Sequence, residues 1–314
     1  MQQLWAVSLI LVFQLLHVAV TPARITRTEV VKDTSTLYND DGEILQVSYA
    51  GNAIRKSSSI VGLTTGSLGF LITRVQLKSR LMIHNPRITY NTLTATQGRL
   101  MMAFTGLQGD VKCILRHAKV LCEDHQVKCA EAMPLLMMTK ELCKYATSSL
   151  QPIEEDEEEK IGRPLACKGL LIGLSKKKLR VDESSESQYD DYRNVDMDSI
   201  RSSGARMMSM MVCEHTGAYY EAPIAVIGKM EENKVDHLIN LYKSGDVSIR
   251  EVLLNACNLL FEEQEADGDK YGFLEMHVMI ANDRERSDGV IEKKTQIKSA
   301  EDLSQFLDAC LQLD

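Results

Sequence analysis

No GxSxG, HExxH, Walker phosphate loop or CxxC pair occurs anywhere in the 314 residues. That removes the common short signatures of serine hydrolases, zinc proteases, nucleotide hydrolases and zinc ribbons. An excess of cations is also missing. The formal net charge is −8, whereas a nucleic-acid surface needs clustered Lys and Arg, so no nucleic-acid partner is expected. The eight cysteines are scattered rather than tightly spaced, which excludes a small disulfide-stapled scaffold. Several fall on expected apolar faces, where a free thiol behaves as a small hydrophobe, and this favours a reducing compartment.

Three clusters invite a chemical reading and fail on geometry. Cys113, His117, Cys122, His125 and Cys129 lie on one expected helix, where about 100° per residue points the first two away from Cys122 and Cys129. Gly62, Gly66 and Gly69 lack the spacing and the Lys of a phosphate cradle and are expected to serve a strand-to-strand turn. Asp267 to Gly272 looks like half a calcium loop, but Val278 stands where the bidentate Glu belongs. No metal and no cofactor are expected.

What is present starts with an apolar run from Leu4 to Val20, followed by the small residues of Thr21-Pro22-Ala23. Either a signal-like targeting segment or an extension fits residues 1–30: a cleavage site is available, but no Lys or Arg precedes Leu4. The run is short for a membrane span. The remainder, 31–314, reads as one domain of ordinary globular composition, 44% hydrophobic and 25% charged.

Within it, Leu45, Tyr49, Ala53 and Ile54 have helical spacing from about Gly42 to Arg55. Strands are expected at 59–63, 68–73, 87–92 and 100–105. Asp110 is positioned to cap a helix carrying Val111, Ile114, Ala118 and Cys122, and Pro134 suits the first turn of a second helix. Strands at 169–174 and 223–227 follow, then helices around Leu238 and around Leu253. The segment Phe273 to Ile280 alternates, with Leu274, Met276, Val278 and Ile280 on one face and Glu275, His277 and Met279 on the other. Ser299 to Asp302 resembles the start of a last helix. Blocks of strands separated by helix pairs suit two mostly antiparallel sheets with helices outside, an α+β arrangement. Two tracts look like surface insertions, at about 151–162 (acidic) and 176–212 (Ser/Asp/Glu-rich, then Met207, Met208, Met210 and Met211).

The run Tyr38 to Ala50, with its Gly42 turn and Gln46-Val47-Ser48-Tyr49-Ala50, resembles the N-terminal signature of alpha-type subunits of the 20S proteasome. The resemblance continues at Ile60-Val61-Gly62-Leu63, Thr105-Gly106-Leu107, Arg163-Pro164, Gly217 to Tyr220 and Ile227-Gly228. It spans about 38–312 and is nearest the type-1 alpha subunit. It implies a four-layer αββα sandwich, the proteasome and N-terminal-nucleophile hydrolase fold. It also implies a non-catalytic ring subunit of the cytoplasm and nucleus, with other alpha subunits, beta subunits and a regulatory particle as partners. Leu45, Val47 and Tyr49 are the expected subunit-interface residues. Arg74 and Val75 fall where the family's regulator pocket places a Lys, and Val31-Lys32-Asp33 stands in place of its gate cluster. A catalytic beta-type chain needs a Thr freed after a Gly, its own amine acting as base. This chain reads Lys56-Ser57-Ser58-Ser59 at that point, so no catalytic residue is expected. The alternative is a diverged paralogue outside the ring, in a secretory or organellar compartment.

Overall fold

The computed structural model describes residues 38–76 apart from 40, 92–94, 99–148, 163–176, 206–244, 247–268, 272–281, 290–297, and 302, 305 and 306. The N-terminal segment, Val31-Lys32-Asp33, the acidic tract, most of the second tract and most of the last helix lie outside the described residues. So does most of the strand expected at 87–92.

The chain begins with helix α1 (Leu45–Ile54), then strands β1 (Ile60–Thr64), β2 (Leu68–Val75), β3 (Thr92–Thr94) and β4 (Leu100–Gly106). A helix pair follows, α2 (Gln108–Cys129) and α3 (Leu135–Ala146), then β5 (Cys167–Lys176), β6 (Arg206–Cys213), β7 (Tyr219–Glu221) and β8 (Ile224–Ile227). The second pair is α4 (Glu232–Ser244) and α5 (Ile249–Ala266), before β9 (Phe273–Ala281) and β10 (Val290–Ile297). Every strand pairing is antiparallel, in two five-stranded sheets ordered β10-β9-β2-β1-β8 and β3-β4-β5-β6-β7.

Strand parity explains the layering, because neighbouring side chains point to opposite faces. In the first sheet Val61, Leu63, Phe70, Ile72, Leu274 and Met276 pack with Leu238 of α4 and Val252, Leu253 and Leu260 of α5. In the second, Met102, Phe104, Leu171 and Met211 pack with Ile114 and Ala118 of α2 and Met138 and Leu142 of α3. Residues of the opposite parity, among them Ile60, Leu71, Met101, Leu170, Ile172, Met210 and Met279, fill the space between the sheets. The αββα sandwich is therefore present, each helix pair covering one outer face.

Three local expectations are corrected. Met208, Met210 and Met211 are not part of a surface insertion: they are buried in β6, which pairs with β5 from Gly169↔Cys213 to Lys176↔Arg206. The second insertion therefore stops short of this strand. Asp110 does not cap α2, whose N-cap is Leu107; its carboxylate is buried in the first turn. There it accepts from Arg163 Nη1 and Nη2 at 2.7 and 2.8 Å and from Ala166 N at 2.8 Å, tying the helix start to β5. Gly62 and Gly69 are strand residues rather than turn residues. A Cβ on Gly69 would stand 2.6 Å from Ile172 Cγ2, and one on Gly62 would overlap Met210 and Leu170. These glycines set how closely the sheets approach.

The polar residues of β9 were unexpected in their burial. Glu275 and His277 share the inter-sheet face with Met279, both at most 2% exposed, with Nε2 and Oε2 3.7 Å apart. The chain also crosses between sheets within two residues. Ala222 N donates to Met210 O in the second sheet, and Pro223 O accepts from Thr64 N in the first.

Overpacking at the sheet contact costs about 1–3 kcal/mol. Gly69→Val is expected to lower the denaturant midpoint accordingly, and adding Ile172→Ala is expected to recover part of the loss, because residues in contact do not add independently. Equal losses from the single and the double variant would contradict the contact.

Candidate subunit interface

The segment that leads into β1 is built from a turn and one short helix. Asn39 Oδ1 accepts from Glu43 N at 2.7 Å, Gly42 N donates to Asn39 O, and Gly42 takes a φ of +79° that suits glycine. The helix α1 then lays Ala50 and Ile54 against the sandwich. Gly51 passes under the His215 ring, whose Nε2 would be 3.0 Å from a Cβ there. At about 100° per residue the three expected contact residues separate. Val47 shares the side of Ile54, whereas Leu45 and Tyr49 lie on the other. Leu45 and Val47 are half-buried and Tyr49 is 50% exposed, near Tyr38 in sequence, which is 72% exposed.

An open cleft of about 1070 Å³ runs beside α1, lined by Val47, Gly51 and Arg55, by Lys168, Glu214 and His215, and by the stretch 226–230. Within it Lys168 Nζ lies 2.6 Å from Glu214 Oε1, which also accepts from the Tyr220 hydroxyl. Burial holds the His215 imidazole below its ordinary pKa, against the pull of Glu214.

Between α1 and β1 the serines are engaged. Ser57 Oγ stands 2.6 Å from Ile54 O and 2.9 Å from Thr105 Oγ1, while Thr105 donates to Ser58 O at 2.6 Å. Ser59 Oγ accepts from Met230 N, and Ser59 N donates to Glu263. The hydroxyl of Ser58 faces the Arg74 guanidinium, a group that donates and cannot take a proton. Among the described residues, these three hydroxyls meet backbone groups, Thr105 and a guanidinium rather than a base.

Arg74 and Val75 are both buried, at 2% and 9% exposure. The guanidinium turns inward to Asp267, with Nη1 also 3.4 Å from Glu263 Oε1, and Lys229 pairs with Asp267 from the other side. The expected strand stops at Thr73, one residue short of Arg74, and sequence reading could not foresee this use, since Glu263 and Asp267 lie almost two hundred residues away. The same holds for His215 over Gly51. Among the described residues no group of three or more His, Cys, Asp or Glu could hold a metal, and no helix is long and apolar enough to cross a membrane.

A four-layer αββα sandwich of antiparallel sheets, with a helix leading into its first strand, defines the structural class. No family model matches the chain. Among curated proteins it is similar to the proteasome subunit alpha type-7-like of Macaca fascicularis and the proteasome subunit alpha type-8 of Mus musculus. Each is 25% identical over 140 residues, which is 44% of this chain and 52% of the relative. The proteasome subunit alpha type-7-1 of Drosophila melanogaster is 29% identical over 105 residues, 33% of this chain and 41% of the relative. The chain thus spans about half the length of the curated relatives it matches. The relatives bear out the resemblance to alpha-type subunits; being types 7 and 8, they lend no support to type 1.

Burial pushes the Asp267 carboxyl up, but hydrogen bonds from Lys229 and Arg74 and the two positive charges outweigh it and hold it below the ordinary carboxylate range. A depressed folded pKa contributes stability above the unfolded value of about 3.9 and loses it as pH falls through the folded value. Asp267→Asn is expected to cost about 1 kcal/mol at pH 7, because Asp267 itself is exposed to solvent and Glu263 still faces the buried Arg74. The gap between wild type and variant is expected to begin narrowing below about pH 4 and to close only once pH falls past the lower folded value. Denaturant titrations at pH 7 and pH 3 measure it, and a gap independent of pH would contradict the assignment.

Proposed function

We propose that this chain is a divergent, non-catalytic alpha-type subunit of the 20S proteasome core, forming one domain over 31–314. In this reading it helps build the outer ring and shape substrate access in ubiquitin-dependent and other protein degradation, in the cytoplasm and nucleus. Its partners are other alpha subunits, beta subunits and, through the assembled ring, a regulatory particle. The observation that carries the reading is α1. It leads into Lys56-Ser57-Ser58-Ser59 and β1, with no Gly-Thr junction at the head of that strand. It also leaves Tyr49 exposed on the side of the helix that faces away from Ala50 and Ile54. The similarity to named alpha subunits supports it.

Leu45, Val47 and Tyr49 are proposed as contacts to the neighbouring subunit, with Tyr49 the outward anchor. Arg74 and Val75 are proposed to play no direct part in receiving a regulator, because the Arg74 charge is committed to Asp267 and Glu263.

A second reading rests on the apolar run from Leu4 to Val20: a paralogue that kept the sandwich and works outside the ring, in a secretory or organellar compartment. Native purification through a C-terminal tag separates the two. Co-purification with proteasome alpha and beta subunits is expected, and Tyr49→Asp is expected to reduce it about tenfold, equivalent to about 1.4 kcal/mol, with an unchanged melting temperature. A monomer whose N-terminus has been processed to Ala23 or Arg24 would overturn ring membership in favour of the second reading.

A further inference from the structure

We propose that His215 is an acid-sensitive latch on α1: its neutral ring closes over Gly51, and protonating that ring releases the helix that carries Tyr49. The apolar hold on α1 is small. Of its ten residues only Ala50 and Ile54 are buried, and Ala50 offers a single methyl group. A third contact is made at bare backbone. The edge of the His215 ring fills the space that a side chain at position 51 would take, since a Cβ there would stand 3.0 Å from Nε2 and 3.5 Å from Cε1. A tight turn between β6 and β7 presents the ring. In it Glu214 N donates to Ala218 O at 2.8 Å and Gly217 N donates to Glu214 O at 3.1 Å.

This site suits an uncharged imidazole. Nδ1 of His215 is buried and has no hydrogen-bond partner among the described residues. A neutral ring can leave a bare lone pair there. An imidazolium carries N–H on both nitrogens, so it would bury a charged donor with no acceptor. The charges that line the same cleft do not repair this. They are Glu43 and Arg55 at the two ends of α1, Lys168 of β5, Glu214 of the turn, Lys229 after β8 and Glu232 of α4. Glu214 attracts a proton to the ring but is already engaged by Lys168 at 2.6 Å and by the Tyr220 hydroxyl. Lys229 is turned to Asp267. Arg55 and Lys168 repel a second charge on His215, and burial opposes it further, in keeping with the lowered pKa of the ring.

Above the free-imidazole value of about 6.5 the ring is neutral whether α1 is docked or lifted, and the latch holds. As pH falls below that value, a ring exposed by lifting takes a proton from solvent that the docked ring refuses. Release then grows by up to about tenfold per pH unit until the lower docked value is passed. The helix itself contains no Asp, Glu or His, so it brings no titration of its own to this range. Acid would thus loosen α1 while the sandwich stays closed, and withdraw the Tyr49 face from a neighbouring subunit. That last consequence rests on the contact role proposed for Tyr49, whereas the latch does not.

Hydrogen exchange read by mass spectrometry on the full chain, corrected for the intrinsic pH dependence of amide exchange, follows the latch directly. Protection of the amides of α1 is expected to fall about fivefold between pH 7.5 and pH 5.5, with that of α5 unchanged. His215→Phe, which keeps a flat ring over Gly51 and cannot titrate, is expected to abolish the fall. NMR titration of the His215 ring in the wild type needs no variant and is expected to give a midpoint below 6.5. Protection of α1 that stays flat across this range in the wild type would overturn the proposal. So would an equal fall in His215→Phe, or a His215 midpoint at or above 6.5.

Discussion

The closeness of the two sheets governs the rest of the molecule. Each sheet is hydrophobic on both faces, so it must be covered twice, once by a helix pair and once by the other sheet. Gly62 and Gly69 remove side chains where Met210, Leu170 and Ile172 press in from the opposite sheet. Because the sheets meet at this distance, Leu71, Met101 and Met279 interdigitate instead of leaving voids, and native interiors tolerate few voids. The layer also encloses Glu275 and His277, polar groups that a looser interior would hydrate.

One end of this sandwich is closed by charge rather than by apolar packing. Arg74 emerges from β2 on the helix side and meets Glu263 and Asp267 from the last turns of α5, with Lys229 completing the cluster after β8. Ser57, Ser58 and Ser59 thread past these groups, so the chain arrives at β1 along a path fixed by its own backbone and by Thr105, Met230 and Glu263. That path carries α1 and sets which of its residues remain outside. The position of Tyr49 thus depends on an ion cluster it never touches.

Much of the architecture was legible because periodicity survives on elements covered by one layer. The stripe around Val252, Leu253 and Leu260 in α5, and that around Ile114 and Ala118 in α2, are one-sided and announce themselves as helices. Strands between two layers are harder, since both faces are buried and alternation fades. The strand β6 was lost for this reason: Met is not a β-branched residue, and a Ser/Asp/Glu-rich tract adjoins it. Long-range polar pairs left no local signal. Asp110 satisfies the pattern of a helix cap, and only the fold reveals that Arg163 and Ala166 use its carboxylate. Of the expected contact residues, sequence spacing put Leu45, Val47 and Tyr49 on one helix, but their different outlooks required knowing that Ala50 and Ile54 are the buried side.

The two-residue crossing at Ala222 and Pro223 bears on how this domain comes apart. Its hydrogen bonds join β6 and β1, strands that belong to different sheets. Neither sheet can peel away while the other stays intact, since the peptide link there has no slack to pay out. Local opening is therefore confined to the outer helices and edge strands, and the protected amides of β1, β2, β5 and β6 must exchange with solvent through a single shared opening event. The stitch makes four layers behave, in kinetic terms, as one cooperative unit.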